Sequence, residues 1–254
     1  MAADGRMQRR GMALVVEGIV ILASILAAFL LEGWRTDHEL ARDLTQELES
    51  VYRELERNRD LVSAELSVLD RLASSAAALL VELHANPEAA MVQATDTIAL
   101  LATVWAPTFD PSLGAVDALI SSGRLAQLPN ARLRQGLAGL RDQFQDAREE
   151  QVNAIAIRDN LLFPLTRDRL DYRAFRVILD RLAESGSAGA QSQESMAVRS
   201  FPSLGTVDYP NGPSIRSTLE FRRMIYLTVQ DELSQLHVFL DDLISDLEDE
   251  LANR

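Results

Sequence analysis

The chain opens with an apolar run, Met12 to Leu31, in which only Glu17 and Ser24 are polar. At about 1.5 Å per residue this run makes a helix roughly 30 Å long, the thickness of a bilayer's hydrocarbon core. From Leu40 onward apolar residues return at steps of three and four. Leu44, Leu48, Val51, Leu55, Asn58, Val62, Leu66, Leu69, Leu72, Ala76, Leu80 and Leu83 trace one stripe. That period predicts an amphipathic helix with a bundle or coiled-coil seam. No Gly or Pro intervenes between Gly33 and Pro87. The apolar helix is therefore expected to run into the amphipathic one without a joint, until His84-Ala85-Asn86-Pro87 stops it.

The following segments are shorter. A helix is expected from Pro87 or Ala90 to Trp105, broken at Ala106-Pro107. Asp110-Pro111 reads as an N-cap and first helical position, so a helix should span Pro111 to Ser121 and end on Gly123 as a left-handed cap. Asn130 then caps a second long helix with a seam of Leu133, Leu137, Leu140, Phe144, Ala147, Gln151 and Ile155, ending at Pro164. Gln151 is polar on that stripe, which predicts a wet seam there. A further helix is expected over Asp168 to Ala183.

Between Glu184 and Pro213 the period disappears. Residues 185–195 have flexible-linker composition, and Phe201-Pro202 and Tyr209-Pro210-Asn211-Gly212-Pro213 are turn chemistry. Long aperiodic loops tend to be functional or disordered, which makes loop 184–213 a candidate partner-contacting element. A last helix follows from Ser214, with Tyr226, Val229, Leu233, Leu236, Leu240, Leu243, Leu247 and Leu251 on its seam. Three matched seams predict an all-α fold: a single N-terminal transmembrane helix continuing into a long-helix antiparallel, coiled-coil-like bundle. In that path helix one leaves the membrane, helix two returns and the last leads outward again. No strand is expected, although Arg124 to Leu128 could be extended.

Charge sets the topology. Arg6, Arg9 and Arg10 precede the apolar run with one acid, Asp4, whereas residues 32–43 carry two arginines and four acids. The positive-inside rule keeps residues 1–11 in the cytoplasm and sends 35–254 across, into the periplasm of a bacterium. A cleaved signal would want a short apolar core and a small-x-small site, whereas Phe29-Leu30-Leu31-Glu32-Gly33-Trp34 follows here. Residues 12–34 therefore read as an uncleaved signal-anchor in the inner membrane, with Trp34 as its interfacial aromatic. Glu17 has two readings. Within hydrocarbon it marks function; alternatively the span begins at Gly18 and Glu17 lies at the headgroups. Asn58 on the seam could fix register or partner number, or turn aside on the helix surface.

Composition narrows the chemistry. The net charge is −13, and all 25 basic residues are arginine. An acidic chain argues against nucleic acid as a partner. Without Cys there is no disulfide, thiolate nucleophile or thiolate metal site. His38, His84 and His237 lie far apart and lack metal spacing. The acids Asp241, Asp242, Asp246, Glu248, Asp249 and Glu250 read as a solvated helix face, because a calcium site needs ligands converging from a loop. Nucleophile-elbow, phosphate-loop and dinucleotide motifs are missing. No enzyme, cofactor or metal is expected.

Glu17, the apolar run closing on Trp34, the Leu-spaced charged helix and Ser122-Gly123-Arg124-Leu125 carry one resemblance. The chain resembles an uncharacterised bacterial family of membrane-anchored helical proteins, a domain of unknown function with an N-terminal transmembrane helix. Phe221 to Leu251 resembles the end of its members, and Glu32-Gly33 departs from the Asn pair usual before the tryptophan. The resemblance implies the same architecture and no activity. Two functional readings follow from the residues. One is a scaffold or oligomerisation module, with the lipid bilayer and either a second copy or another membrane or periplasmic protein as partners. The other is a periplasmic ligand-sensing bundle that signals through a membrane partner. Glu17, Trp34 and Asn58 are the interaction candidates.

Overall fold

The computed structural model describes residues 4–106, 108–173, 175–177 and 205–254, with side chains from Ser24 onward, Asp37 excepted. They form two units, one of the described residues up to Glu49 together with Arg254 and one of those from Ser50 to Asn253. The fold is mostly helical. Helix α1 spans Asp4–Ala85. Its whole seam is buried except Leu66, which is only half-buried; its neighbour Glu65 is buried instead.

Past Asn86 the expected helix is replaced. Strand β1, Met91–Thr95, comes first, and only Asp96–Thr103 is helical, as α2. Strand β1 pairs antiparallel with β2, Thr206–Pro210, in the register Val92↔Tyr209 and Ala94↔Val207. Those four side chains are buried. The expectation of no strand is thus corrected, and the alternation that places Val92, Ala94, Val207 and Tyr209 on one face is the physical reason. Arg124–Gln127 is a 3₁₀ turn, not a strand. Of loop 184–213, residues 184–204 lie outside the described residues.

Helix α3, Gly114–Ser121, starts later than Pro111, and Gly123 takes the left-handed conformation at φ 74°. Helix α4, Ala131–Ile157, is capped by Asn130, whose side chain accepts from the amides of Arg132 and Leu133. It passes through a π-helical turn, Arg158–Leu162, into the short α5, Phe163–Thr166, with Pro164 in its first turn. Of the helix expected over Asp168 to Ala183, residues 172, 173 and 175–177 are helical, and those after 177 lie outside the described residues. Helix α6, Pro213–Ala252, buries Tyr226 through Leu247 of its predicted seam.

The path of the bundle differs from the expected one. Tyr52 meets Glu248 and Asn211 meets the Leu83 carbonyl, so α6 runs antiparallel to α1. Arg132 meets Asp242 and Asp246, while Glu150 and Asp146 act on Glu232, so α6 is antiparallel to α4 as well. Helices α1 and α4 therefore run the same way, and helix two does not return. Residues 86–130 are the reason. They travel back along α1, and the bonds from Glu65, Asn58 and Glu54 reach Thr108, Ser112 and Ala115 in turn. At the hairpin end the core is Leu79, Leu83, Val92, Leu100, Phe175 and Tyr209 with their neighbours.

Candidate functional site

Three features of the described residues stand apart from the leucine seams. The first is the connector between α2 and α3. Its deeply buried apolar anchor among the described residues is Phe109, edge-on to Phe144 with centroids 5.6 Å apart. Polar side chains from the long helices do the rest. Glu65 accepts from the Thr108 amide, and Gln151 Oε1 accepts from the Phe109 amide at 2.9 Å. Asn58 holds Ser112 from both sides, donating to its carbonyl at 2.6 Å and accepting from its amide at 3.0 Å. Glu54 accepts from Ser112 Oγ at 2.7 Å and from the amides of Ala115 and Val116 at 2.9 and 3.0 Å. A carboxylate on the first amides of α3 is a helix cap supplied from another helix.

Arginines hold the other end of the connector. Arg222 is fully buried. It donates to the carbonyls of Thr103 (2.6 Å) and Trp105 and to the Tyr226 hydroxyl. Its guanidinium also lies over the Tyr226 ring, 5.2 Å from the centroid. Arg158 donates to the Val104 carbonyl at 3.2 Å. The carbonyl end of α2, where a cation is favoured, so receives two guanidinium groups. Burying a cation costs several kcal/mol, and here carbonyl oxygens and a ring face offset it.

The electrostatics follow from burial. Glu65 is pushed up to about 7 because burial disfavours its charged form, against the pull of the Thr108 amide. Its Oε1 and Gln151 Nε2 are buried without a hydrogen-bond partner. Burial also raises Tyr226, against the pull of Arg222. Arg158 lowers Asp159. Glu65, Arg158 and Arg222 bind backbone amides and carbonyls, an arrangement that holds the connector in place. Among the described residues no group of three or more His, Cys, Asp or Glu side chains could hold a metal ion.

The second feature is apolar surface on α1. Ile25, Leu26, Phe29, Leu30, Leu31 and Trp34 are all exposed, Phe29 by 72%, and Trp34 stacks on His38 with centroids 4.9 Å apart. The third is an open groove of about 1200 Å³ between the end of α1 and the start of α6.

The predicted interaction residues separate. Trp34 is exposed. Asn58 is buried on the seam, not turned aside on the surface, and its side chain serves its own chain's connector. Glu17 and the rest of 12–23 lie outside the residues whose side chains are described, and among those that are described no helix is long and apolar enough to cross a membrane. The acids of α6 are spread over partners: Asp242 and Asp246 on Arg132, Asp241 on Arg59 and His237, and Glu248 on Tyr52. Sequence reasoning missed Arg222, Glu54 and Glu65. Arg222 had a signal, because extending the stripe back from Tyr226 to Leu219 lands on it. The two glutamates sit one position before Leu55 and Leu66, where sequence cannot distinguish a solvated acid from a buried one. Compared with protein-family models, with curated proteins and with solved structures, the chain matches none.

Proposed function

We propose that the chain is a membrane-tethered helical scaffold. Residues 12–34 cross the inner membrane, residues 1–11 lie in the cytoplasm, and the bundle works in the periplasm as an interaction module. One observation carries this reading: the described end of the apolar run, from Ile25 to Trp34, exposes six large apolar side chains on consecutive turns of a helix. Exposed apolar surface costs about 25 cal/mol per Å² in water, and a bilayer removes that cost. The arginine-rich flank and the resemblance to anchored bacterial proteins support the same reading.

Alkaline carbonate extraction of bacterial membranes tests it, together with a reporter at the C-terminus that is active only outside the cytoplasm. The full chain is expected to stay in the membrane pellet with the reporter active. Residues 35–254 alone should be released. A full chain found in the carbonate supernatant, or a reporter active only in cytoplasmic form, would overturn the reading.

A further inference from the structure

Helix α6 buries one apolar stripe in the bundle, through Leu219, Tyr226 and Val229, and carries a second that is left open to solvent. Phe221, Met224 and Leu227 form the second stripe, at steps of three. They line the groove of about 1200 Å³ together with Val81 from the end of α1. Single exposed apolar residues are ordinary, but a cluster rimmed by polar groups marks a contact surface. On α6 the groove runs from Pro213 to Leu227, about 21 Å at helical rise.

Shape narrows the occupant. A small amphiphile is held in an enclosed pocket that covers most of its surface. This groove is an open trough, and its four large apolar side chains remain between 43% and 67% exposed. Both of its walls are helices, and rows of side chains at helical spacing accept the ridge of a third helix.

Charge narrows it further. The whole chain has 38 acids against 25 arginines. The groove reverses that balance, with Arg216 and Arg223 against Glu220 and with His84 beside them. Neither arginine has a hydrogen-bonded carboxylate among the described residues. Arg216 donates to two neutral oxygens, Asn211 Oδ1 at 2.7 Å and the Pro87 carbonyl at 3.5 Å. Arg223 Nη1 lies 3.7 Å from Glu220 Oε1, too far for a hydrogen bond, and its Nε is buried without an acceptor. Both side chains are partly exposed, so carboxylates arriving at the rim find guanidinium donors there. A second copy would bring the same sign to the rim and be repelled.

We infer that this groove takes an acidic amphipathic helix of another protein. The partner lays its apolar face on Val81, Phe221, Met224 and Leu227 and sets Asp or Glu side chains against Arg216 and Arg223. Such a partner deepens the scaffold reading, on which it rests, by naming the chemistry the module holds. All of these residues lie beyond Glu49, so a lost groove leaves the anchor untouched.

The test is fluorescence anisotropy with two labelled peptides of about 18 residues, each carrying leucines along one helical face. One has glutamates on its flanks and its twin has lysines. The full chain is held in discs of zwitterionic lipid, and empty discs give the blank. The glutamate peptide should bind at least about tenfold more tightly than its twin, and more weakly as salt rises. Met224→Glu and Arg223→Glu should each weaken it by about tenfold or more. Glu220→Gln removes the one repelling carboxylate and should tighten binding severalfold. Circular dichroism and unfolding midpoints of the three variants should stay at wild-type values. The inference is overturned by the absence of saturable binding above the blank, by equal affinities for the two peptides, or by indifference to Met224→Glu. Displacement of the peptide by oleate at lower concentration would assign the groove to a small amphiphile and overturn it as well. So would self-association of the chain in detergent that Met224→Glu abolishes. Carbonate extraction of the same variants reports anchoring independently.

Discussion

The leucine seams and the 104–113 connector hold the same molecule together by opposite means. Along α1, α4 and α6 each buried leucine contributes about 1.5–3 kcal/mol through area removed from water, and the contribution is non-directional. Many equivalent residues share it. The connector has Phe109 and a set of side-chain bonds to backbone groups, each with a fixed partner. A hydrogen bond adds only about 1 kcal/mol net, but a buried group left without its partner costs about 1–3 kcal/mol. The seams therefore tolerate exchange among apolar residues, while the connector tolerates almost none.

Arg222→Met breaks that comparison at its strongest point. It leaves the Thr103 and Trp105 carbonyls without their guanidinium and should cost about 4 kcal/mol in urea unfolding. A loss no larger than that of an exposed arginine, Arg141→Met for example, would show that the carbonyl cap contributes little.

Glu65 gives the next largest effect and a pH signature. Its folded value, about 7, lies above the ordinary 4.5, so the folded state holds the proton more tightly than the unfolded chain. The stability linked to that proton is complete below about pH 4.5 and lost as pH rises through 7, about 3 kcal/mol in total. Glu65→Gln should remove this dependence and be the more stable protein at pH 8. Unfolding of both proteins across this range checks it, and a constant difference between them would reject the buried-acid assignment.

Asn58→Ala should cost about 2 kcal/mol and speed hydrogen exchange at the Ser112 amide before the seams open. Unchanged exchange at Ser112 would mean that the connector does not depend on Asn58. The smallest effect sharpens the same point. Asp110 is the residue a local reading chooses as cap of α3, yet it is exposed, and Glu54 holds the Ala115 and Val116 amides. Asp110→Ala should change stability by less than about 0.5 kcal/mol, whereas a true cap would cost about 1. Glu54→Gln measured beside it should show the larger loss.

The long helices were legible because their signal is local and repeated. Leu133 to Ala147 and Tyr226 to Leu247 are buried where the three-and-four spacing puts them, and the caps at Asn130 and Gly123 depend on residues within one turn. The hairpin was half-legible. Met91–Thr95 and Thr206–Pro210 alternate correctly, but five residues are too few to outweigh a helical neighbourhood, and each strand's partner lies far away in sequence. Asn58 and Gln151 were visible as polar breaks in their stripes, though their partners, Ser112 and Phe109, were not.

By itself, then, the sequence determined the apolar run, the charge asymmetry around it and three amphipathic helices with their buried faces. Hydrophobic periodicity encodes which side of a helix is covered, and so much needs no knowledge of the rest of the chain. It does not encode what covers that side. Only the tertiary structure decided that α1 and α4 run the same way, that Glu54 caps a helix some sixty residues on, and that Arg222 closes the carbonyl end of α2. Those choices turn on single hydrogen bonds between distant residues, and a directional bond has no period to read.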